Sequence, residues 1–353
     1  MSDSVRKALL AAGVAAGLIL LYGRYIERGR VRLDRFTVEV DRPGLPPQGV
    51  TVLHLSDLHI RDRESVQTVK LARLHRLLAD EQYDILALTG DLIHNMAGLP
   101  SAVAFLAGLS PRRAAFVVPG NRDYLESSFR ALLGSPEERQ GLPLVRQAAL
   151  AARNIRNVAR RFLRNEGGAS RARGSLGLHA NDVPTLLAAL AAQGIQPLVN
   201  RNVQLAGEGA NLWVAGVDDL GNGQPDLAAA LTGVPENAPL LLLSHNPDIW
   251  LNPAADRADL ILSGHTHGGQ IRLPLLGSIY RQGTHLGRQR AAGWFERGRT
   301  RMFVSRGLGE SFPLRLGAPL QAALIRLLPG PGARPSAPNG RGSRAASAPE
   351  ERA

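Results

Sequence analysis

Apolar residues follow two rhythms along this chain. Near its start they form one uncharged stretch, Ala8 to Gly23, between Lys7 and Arg24. From Val50 onward they come in short runs separated by stretches of helical spacing, which predicts an α/β chain. The runs are Val50 to Ser56, Asp84 to Gly90, Ala114 to Gly120, Asn211 to Val217, Pro239 to Ser244 and Leu260 to Gly264. A helix is expected to resume over His179 to Gln193.

The long stretch predicts a helix that meets a membrane. Its 16 residues fall short of the ~20 of a comfortable membrane span, but Tyr22 and Tyr25 stand at its far end, where interfacial aromatics sit. A cleaved signal peptide shares the charged start and apolar centre. No small-x-small cleavage site follows Leu21, where Tyr22-Gly-Arg-Tyr25 stands instead. The reading is a retained single-pass anchor in the cell's inner (plasma) membrane, with residues 1–35 forming the anchor and a basic juxtamembrane segment. Arg24, Arg28, Arg30, Arg32 and Arg35 follow the stretch, against Arg6 and Lys7 before it. The positive-inside bias therefore puts the following domain on the cytoplasmic side.

Two segments break the α/β rhythm. Residues 124–178 carry ten arginines against four glutamates, with no lysine or aspartate, a net of +6. Within them Leu144, Ala148, Ala151, Ile155, Val158 and Phe162 recur at helical spacing, while Arg146, Arg153, Arg160 and Arg164 fall mainly on other faces. Such a helix reads as a membrane-surface or partner-docking cap, or as a helix packed on the core with a solvated arginine face. Residues 329–353 are rich in Pro, Gly, Ala and Ser and read as a disordered tail. The folded domain is expected over 36–328.

Composition narrows the chemistry. There is no cysteine, which excludes disulfides, thiolate metal sites and cysteine nucleophiles. A net charge of +12 points to anionic partners: nucleic acid, acidic lipid or phosphorylated substrates. Much of that excess lies beside the apolar stretch and in the insert, and aromatics make up only 5%. Basic residues interleaved with stacking aromatics, as single-stranded nucleic acid requires, are not found, so nucleic acid is not the expected partner.

Five of the strand-like runs stop at residues able to bind a metal. The first runs into Asp57-Leu58-His59, the second ends at Asp91 and the third at Asn121; the last two end at His245 and at His265-Thr266-His267. Ligands of α/β folds collect at the carboxyl ends of strands. Two aspartates, one asparagine and four histidines brought to one sheet edge suit two divalent cations that share a carboxylate. Any one of these residues alone would read as an ordinary turn former; the set does not. His54, His75, His179 and His285 lack this setting and read as structural.

With these motifs the chain resembles the calcineurin-like metallophosphoesterases. The motif blocks are Asp57-Leu58-His59, Gly90-Asp91, Gly120-Asn121-Arg122-Asp123, His245 and Gly264-His265-Thr266-His267, spread over Val50 to Leu328. The extended Gly264 to Gln270 block and the late Ser305-Arg-Gly-Leu-Gly309 are similar to those of its membrane-anchored or exported bacterial branch. The resemblance implies a four-layer α/β/β/α sandwich of two mixed sheets. It implies one cation on Asp57, His59, Asp91 and His267, and a second on Asp91, Asn121, His245 and His265, with manganese favoured over Fe, Zn or Mg. It implies a hydrolase in which a hydroxide bridging the two metals attacks a phosphoester or pyrophosphate. Asp91, Asn121, Arg122 and Asp123 are the expected catalytic residues.

One position departs from the pattern. The family commonly has histidine where this chain has Arg122, and arginine can clamp a phosphate oxygen but cannot donate a proton. His94 offers a replacement acid, or a local hydrogen bond. The Gly-Asn-Arg-Asp block is also similar to that of UDP-2,3-diacylglucosamine pyrophosphatases, which makes a lipid-linked or nucleotide-linked substrate at the membrane the sharper expectation. A general phosphodiesterase or nuclease, and a non-catalytic metal-binding scaffold, are the alternatives.

Overall fold

In the computed structural model, which describes residues 2–61, 65–126, 179–207, 210–278 and 284–333 with short stretches between 141 and 153, the apolar runs are strands. In chain order they are β1 (Val31–Val40), β2 (Val50–Leu55), β3 (Ile85–Thr89), β4 (Ala114–Val118), β5 (Leu125–Glu126), β6 (His179–Ala180), β7 (Ile195–Pro197) and β8 (Arg201–Gly207). There follow β9 (Ala210–Gly216), β10 (Leu240–Leu243), β11 (Leu260–Ser263), β12 (Arg272–Leu273), β13 (Gly277–Ser278), β14 (Gly293–Arg297), β15 (Thr300–Val304) and β16 (Leu320–Pro329). Two six-stranded sheets result, ordered β1-β16-β2-β3-β4-β7 and β14-β15-β11-β10-β9-β8. Both are mixed: β2, β3, β4 and β7 run parallel, as do β9, β10, β11 and β15, while β16 opposes β2, β14 opposes β15 and β8 opposes β9.

Alternation along each strand explains why the runs are apolar throughout. Successive side chains leave opposite faces of a sheet, and here both faces are covered. Val52, Ile85, Ala87 and Val118 of the first sheet meet Val214, Leu241, Leu243, Leu260 and Leu262 of the second in one core layer. Their neighbours Leu53, Leu55, Leu86 and Leu88 turn the other way, onto Leu74, Phe105, Leu186 and Leu190. These belong to the helices Ser65–Leu78, Leu99–Leu106 and Val183–Ala191. On the far side of the second sheet, Leu240, Leu242 and Ile261 pack against Leu227, Ile249 and Trp250. The order is helix, sheet, sheet, helix, the sandwich expected from the resemblance.

The N-terminal stretch is the helix Asp3–Leu21, capped by the Ser2 side chain and with no buried residue. Helical turns continue to Gly29, long and apolar enough to cross a membrane. Its end is docked: Gly23 is buried, and the Gly23 carbonyl accepts a hydrogen bond from the Arg315 amide. Arg28 donates to Glu310 Oε1 at 2.6 and 2.9 Å, and Lys70 reaches Glu310 Oε2 at 2.5 Å.

Two expectations are refined, and a third lies outside the described residues. β1 begins at Val31, so Arg32 and Arg35, grouped above with the juxtamembrane segment, lie in a strand of the first sheet. The helix expected from His179 starts at Val183, where Asp182 accepts from the Thr185 amide and Pro184 occupies the first turn. His179 itself lies in β6, paired with β5. Most of the arginine-rich insert, including Ile155, Val158 and Phe162 of its apolar stripe, lies outside the described residues, as does the tail beyond Ala333.

Candidate metal centre

The loops that follow β2, β3, β4, β10 and β11 meet at one end of the sandwich. Parallel pairing of β2, β3 and β4 aligns their carboxyl ends, and that of β10 with β11 does the same in the facing sheet. The chain reverses there with its side chains forced inward. Asp57, His59, Asp91, His265 and His267 all have positive φ, between 47° and 70°. Such conformations cost non-glycine residues on the order of 1 kcal/mol or more each and gather at functional sites. Amide bonds over-determine them: Asp57 N donates to Gly90 O, and His59 N to Asp91 O. Two glycines allow the close approach. A Cβ on Gly120 would collide with Asp91 and His245, and one on Gly264 with Ser56 and Asp57.

Seven residues singled out from the sequence form two adjoining groups. In the first, one ligand atom each from Asp57, His59, Asp91 and His267 lie within 4.8 Å of one another, all four side chains buried. His59 Nε2 stands 3.1 Å from His267 Nε2 and 3.5 Å from Asp91 Oδ2. In the second, Asn121 Oδ1 lies 2.8 Å from His265 Nδ1 and 3.1 Å from His245 Nε2, and the two ring nitrogens are 3.2 Å apart. Asp91 stands between the groups, with Oδ1 3.3 Å from His245 Nε2. Its buried Oδ2 has no hydrogen-bond partner among the described residues. His245 Nδ1 faces the Thr89 carbonyl at 2.7 Å, which fixes an N–H there and turns Nε2 toward Asp91 and Asn121.

Burial sets the charge of the cluster. It drives His59 and His265 down to about 3 and His267 well below its ordinary value, so these imidazoles are neutral. Burial also opposes charge on His245, but the carboxylates of Asp91, Asp57 and Asp219 push it up to about 10. Asp91 in turn is held below the ordinary carboxylate range, the His245 charge and hydrogen bond overcoming burial. Burial, beside the Asp91 charge and against the pull of His245, raises Asp57 to about 7. Neutral histidines and carboxylates converging in one buried cluster are the donor set that divalent cations take, and His245 joins it by releasing its proton. The unpartnered Asp91 oxygen and the facing ring nitrogens fit cations in both groups.

Arg122 and Asp123 separate in role. The Arg122 guanidinium lies close enough to disfavour charge on both His59 and His265, and its amide donates to Asp91 Oδ1 at 2.7 Å. Asp123, fully buried, is turned away from the cluster. Its Oδ1 accepts from the amides of Leu92 and Ile93 at 2.8 and 3.1 Å, and Oδ2 from Gly120 at 2.9 Å. It ties the loop after β3 to the loop after β4. His94 is buried near His59. Of the other histidines, His54 bonds the Thr89 hydroxyl at 2.7 Å, His75 meets the Phe105 ring edge-on and His285 pairs with Asp248.

Several residues around the centre escaped the sequence reading. Asp218 and Asp219 follow β9 at the same sheet edge, and the strand-end rule would have found them. Asp218 Oδ1 accepts from the Tyr124 hydroxyl at 2.5 Å, and Asp219 Oδ1 is buried without a partner among the described residues. Asn222 donates to the Asn121 carbonyl at 3.3 Å. Arg315, wholly buried behind His267, carried no signal in the sequence.

The sequence profile of the calcineurin-like phosphoesterases matches residues 50–269, and so covers every member of both groups. The chain is 25% identical to the metallophosphoesterase YkuE of Bacillus subtilis over 327 residues, 91% of this chain and 93% of that protein. It is 25% identical to the UDP-2,3-diacylglucosamine pyrophosphatase LpxG of Chlamydia muridarum over 338 residues, 91% and 96% of the two chains. With the phosphodiesterase YaeI of Escherichia coli it shares 32% identity over 139 residues, 39% of this chain and 50% of that one.

Proposed function

The chain belongs to the calcineurin-like phosphoesterase family, hydrolases of phosphoester bonds that bind divalent metals, and from that premise we propose that it cleaves the pyrophosphate of a nucleotide-linked lipid at the membrane. UDP-2,3-diacylglucosamine is the substrate named for the chlamydial relatives and is the specific candidate. The observation that carries the reading is Arg122, a cation set beside both metal-ligand groups where the family commonly has a proton donor.

Asp57, His59, Asp91 and His267 would hold one cation, and Asp91, Asn121, His245 and His265 the other, with manganese the expected ion. When bound, such a pair supplies Lewis-acid activation of water and of the phosphoryl group. The Arg122 fork binds a non-bridging phosphoryl oxygen through two N–H groups and offsets the charge that builds there. It keeps its protons at any physiological pH, so the leaving group must depart unprotonated. A nucleoside monophosphate does so readily; a simple alkoxide does not. Asp123 acts through the backbone, keeping Gly120 and the chain at Leu92 and Ile93 in place.

The apolar N-terminal helix supports membrane association. We place it as a single span of the inner membrane with the catalytic domain on the cytoplasmic side, because arginines crowd the end from which the domain emerges. Docking of that end onto Arg315, whose side chain backs His267, holds the centre close to the bilayer.

The test is hydrolysis by the purified full-length protein with Mn²⁺, comparing UMP release from UDP-2,3-diacylglucosamine with nitrophenol release from bis-p-nitrophenyl phosphate. Faster UMP release, lost in Arg122→Ala by ~10²-fold or more, supports the reading. Cleavage of the aryl diester alone leaves a general phosphodiesterase, and cleavage of neither overturns the catalytic assignment.

A further inference from the structure

Beyond His267 the chain forms a hairpin that the catalytic reading does not use. β12 and β13 pair antiparallel, Arg272 with Ser278 and Leu273 with Gly277. The tip, Pro274-Leu275-Leu276, turns its apolar side chains outward. Leu275 is fully exposed, Leu276 is 72% exposed and Leu273 36%. One exposed leucine is ordinary on any protein surface. Three within four residues at a projecting turn form a patch that water solvates poorly and that marks an interaction site.

What covers the patch follows from where its base is fixed. The Gln270 side-chain amide donates to the carbonyls of Phe312 and Leu314 at 2.8 and 2.9 Å, and its oxygen accepts from the Ser311 amide at 2.8 Å. Leu316 N donates to Gln270 O, and Arg272 N to Leu316 O. The same strap receives the end of the N-terminal helix at Arg315, where a Cβ on Gly23 would stand 2.6 Å from the carbonyl oxygen. Hairpin and helix therefore leave one short segment, residues 311–316.

Lengths then place the tip. The 16 uncharged residues from Ala8 to Gly23 make roughly 24 Å of helix at 1.5 Å per residue, somewhat less than the ~30 Å of a hydrocarbon core. Gly23 accordingly stands at the membrane boundary. From Arg272 to Leu275 the chain extends at most ~11 Å, so the tip is within reach of the same plane. Tyr25 and Ile26, both exposed, carry the apolar surface on from the helix side, and Arg24 lies over the Tyr25 ring. An aromatic and an arginine at this level are what a lipid–water interface favours.

We propose that the hairpin tip Leu273–Leu276 inserts into the leaflet from which the N-terminal helix emerges, a second membrane contact that fixes the rim of the metal centre at headgroup level. It rests on the reading of Asp3–Leu21 as a membrane span. The tip begins three residues after Gln270 and six after His267, so its depth is transmitted to the centre through a few buried bonds.

The absence of cysteine makes the test direct, since one introduced thiol is the only label site. Full-length Leu275→Cys, Leu276→Cys, Leu18→Cys and Gln82→Cys each receive an environment-sensitive fluorophore and are reconstituted in phosphatidylcholine/phosphatidylglycerol vesicles. Only variants that melt with the unlabelled protein are compared. Leu18 lies in the span; Gln82 is exposed just before β3, at the end of the sandwich away from the metals. Lipids brominated on their acyl chains should quench the labels at 18, 275 and 276 severalfold more than the label at 82. Quenching at 275 and 276 no stronger than at 82, with 18 quenched, overturns the proposal and leaves the anchor standing. This holds whether those labels face water or are covered by another part of this chain or by a second copy. Loss of quenching at 18 as well overturns both.

Discussion

His267 and Arg315 stand back to back, with the arginine Nη2 3.5 Å from the histidine Nδ1 and its Nη1 3.4 Å from the histidine carbonyl oxygen. Arg315 is fully buried, and burial pushes its guanidinium down only to about 10, so it stays cationic at neutral pH. The other bonds explain its presence: it donates to the carbonyls of Ala318, Arg306 and Gly309. The last belongs to the segment whose Gly309 amide bonds the Asp57 carbonyl. One side chain thus braces ligand loops from both sheets.

Replacing Arg315 by Met keeps the volume and leaves those carbonyls without donors. At ~1–3 kcal/mol for each buried group left unsatisfied, the loss should be on the order of 3–5 kcal/mol. For a domain of this size that lowers Tm by roughly 10 °C. Calorimetry on the detergent-solubilised protein would read it, and a Tm within 2 °C of wild type would contradict the bracing role.

Metal stoichiometry should divide along the two groups. His59→Ala is expected to retain one ion per chain and His245→Ala also one, because each removes a ligand from a single group. Asp91→Ala, which faces both, should retain less than one. Elemental analysis after gel filtration gives the counts; equal loss in all three variants would mean one merged site.

Gly264→Ala should act on Asp57 rather than on the fold. The new methyl falls inside the contact distance of Ser56 Oγ and Asp57 Oδ2. Displacing a ligand that also accepts the His265 amide at 3.0 Å should weaken metal affinity by ~10–100-fold, as loss of an orienting contact does. Isothermal titration with Mn²⁺ measures it, and wild-type affinity would falsify the packing argument.

The docked end of the N-terminal helix should be acid-sensitive through Glu310. Burial resists its charge, but Lys70 and Arg315 hold its folded pKa below the ordinary 4.5. In the window below 4.5 the unfolded state binds the proton first, so stability rises with pH there and falls as pH drops through the folded value. Wild type should lose more Tm between pH 5 and pH 3 than Glu310→Gln, which should start lower at pH 7 because Arg28 and Lys70 lose their counter-charge. Parallel melting curves across pH for the two proteins would exclude the linkage.

Much of the centre could be read in advance because its ligands follow apolar strands directly. Val50 to Leu55 and Leu240 to Leu243 are short, continuous and buried on both faces, so both the strand and its end are marked in one dimension. The four-layer order was not marked in this way; it came from the resemblance. β1 and β16 illustrate why. Their ten-residue register, Val31 with Leu320 through Val40 with Pro329, joins segments nearly the whole domain apart. Arg315 and the main-chain bonds of Asp123 went unseen for a related reason. A buried ion whose partners are main-chain groups leaves no pattern of side chains to recognise. The left-handed backbone at Asp57, His59, Asp91, His265 and His267 likewise has no signature, since aspartate and histidine tolerate that region better than most residues but adopt it at only a minority of positions.

The place of β16 sets the order in which the protein can be finished. It lies between β1 and β2 and, among the described residues, is the sole strand that β1 pairs with. As the chain leaves the ribosome, the N-terminal helix and β1 come first, yet β1 has no neighbour until Pro329 has emerged. Until then β2 also keeps an open edge, a surface prone to pairing with other chains. The first sheet closes only after translation of the domain is complete, with the strand made last wedged beside the one made first.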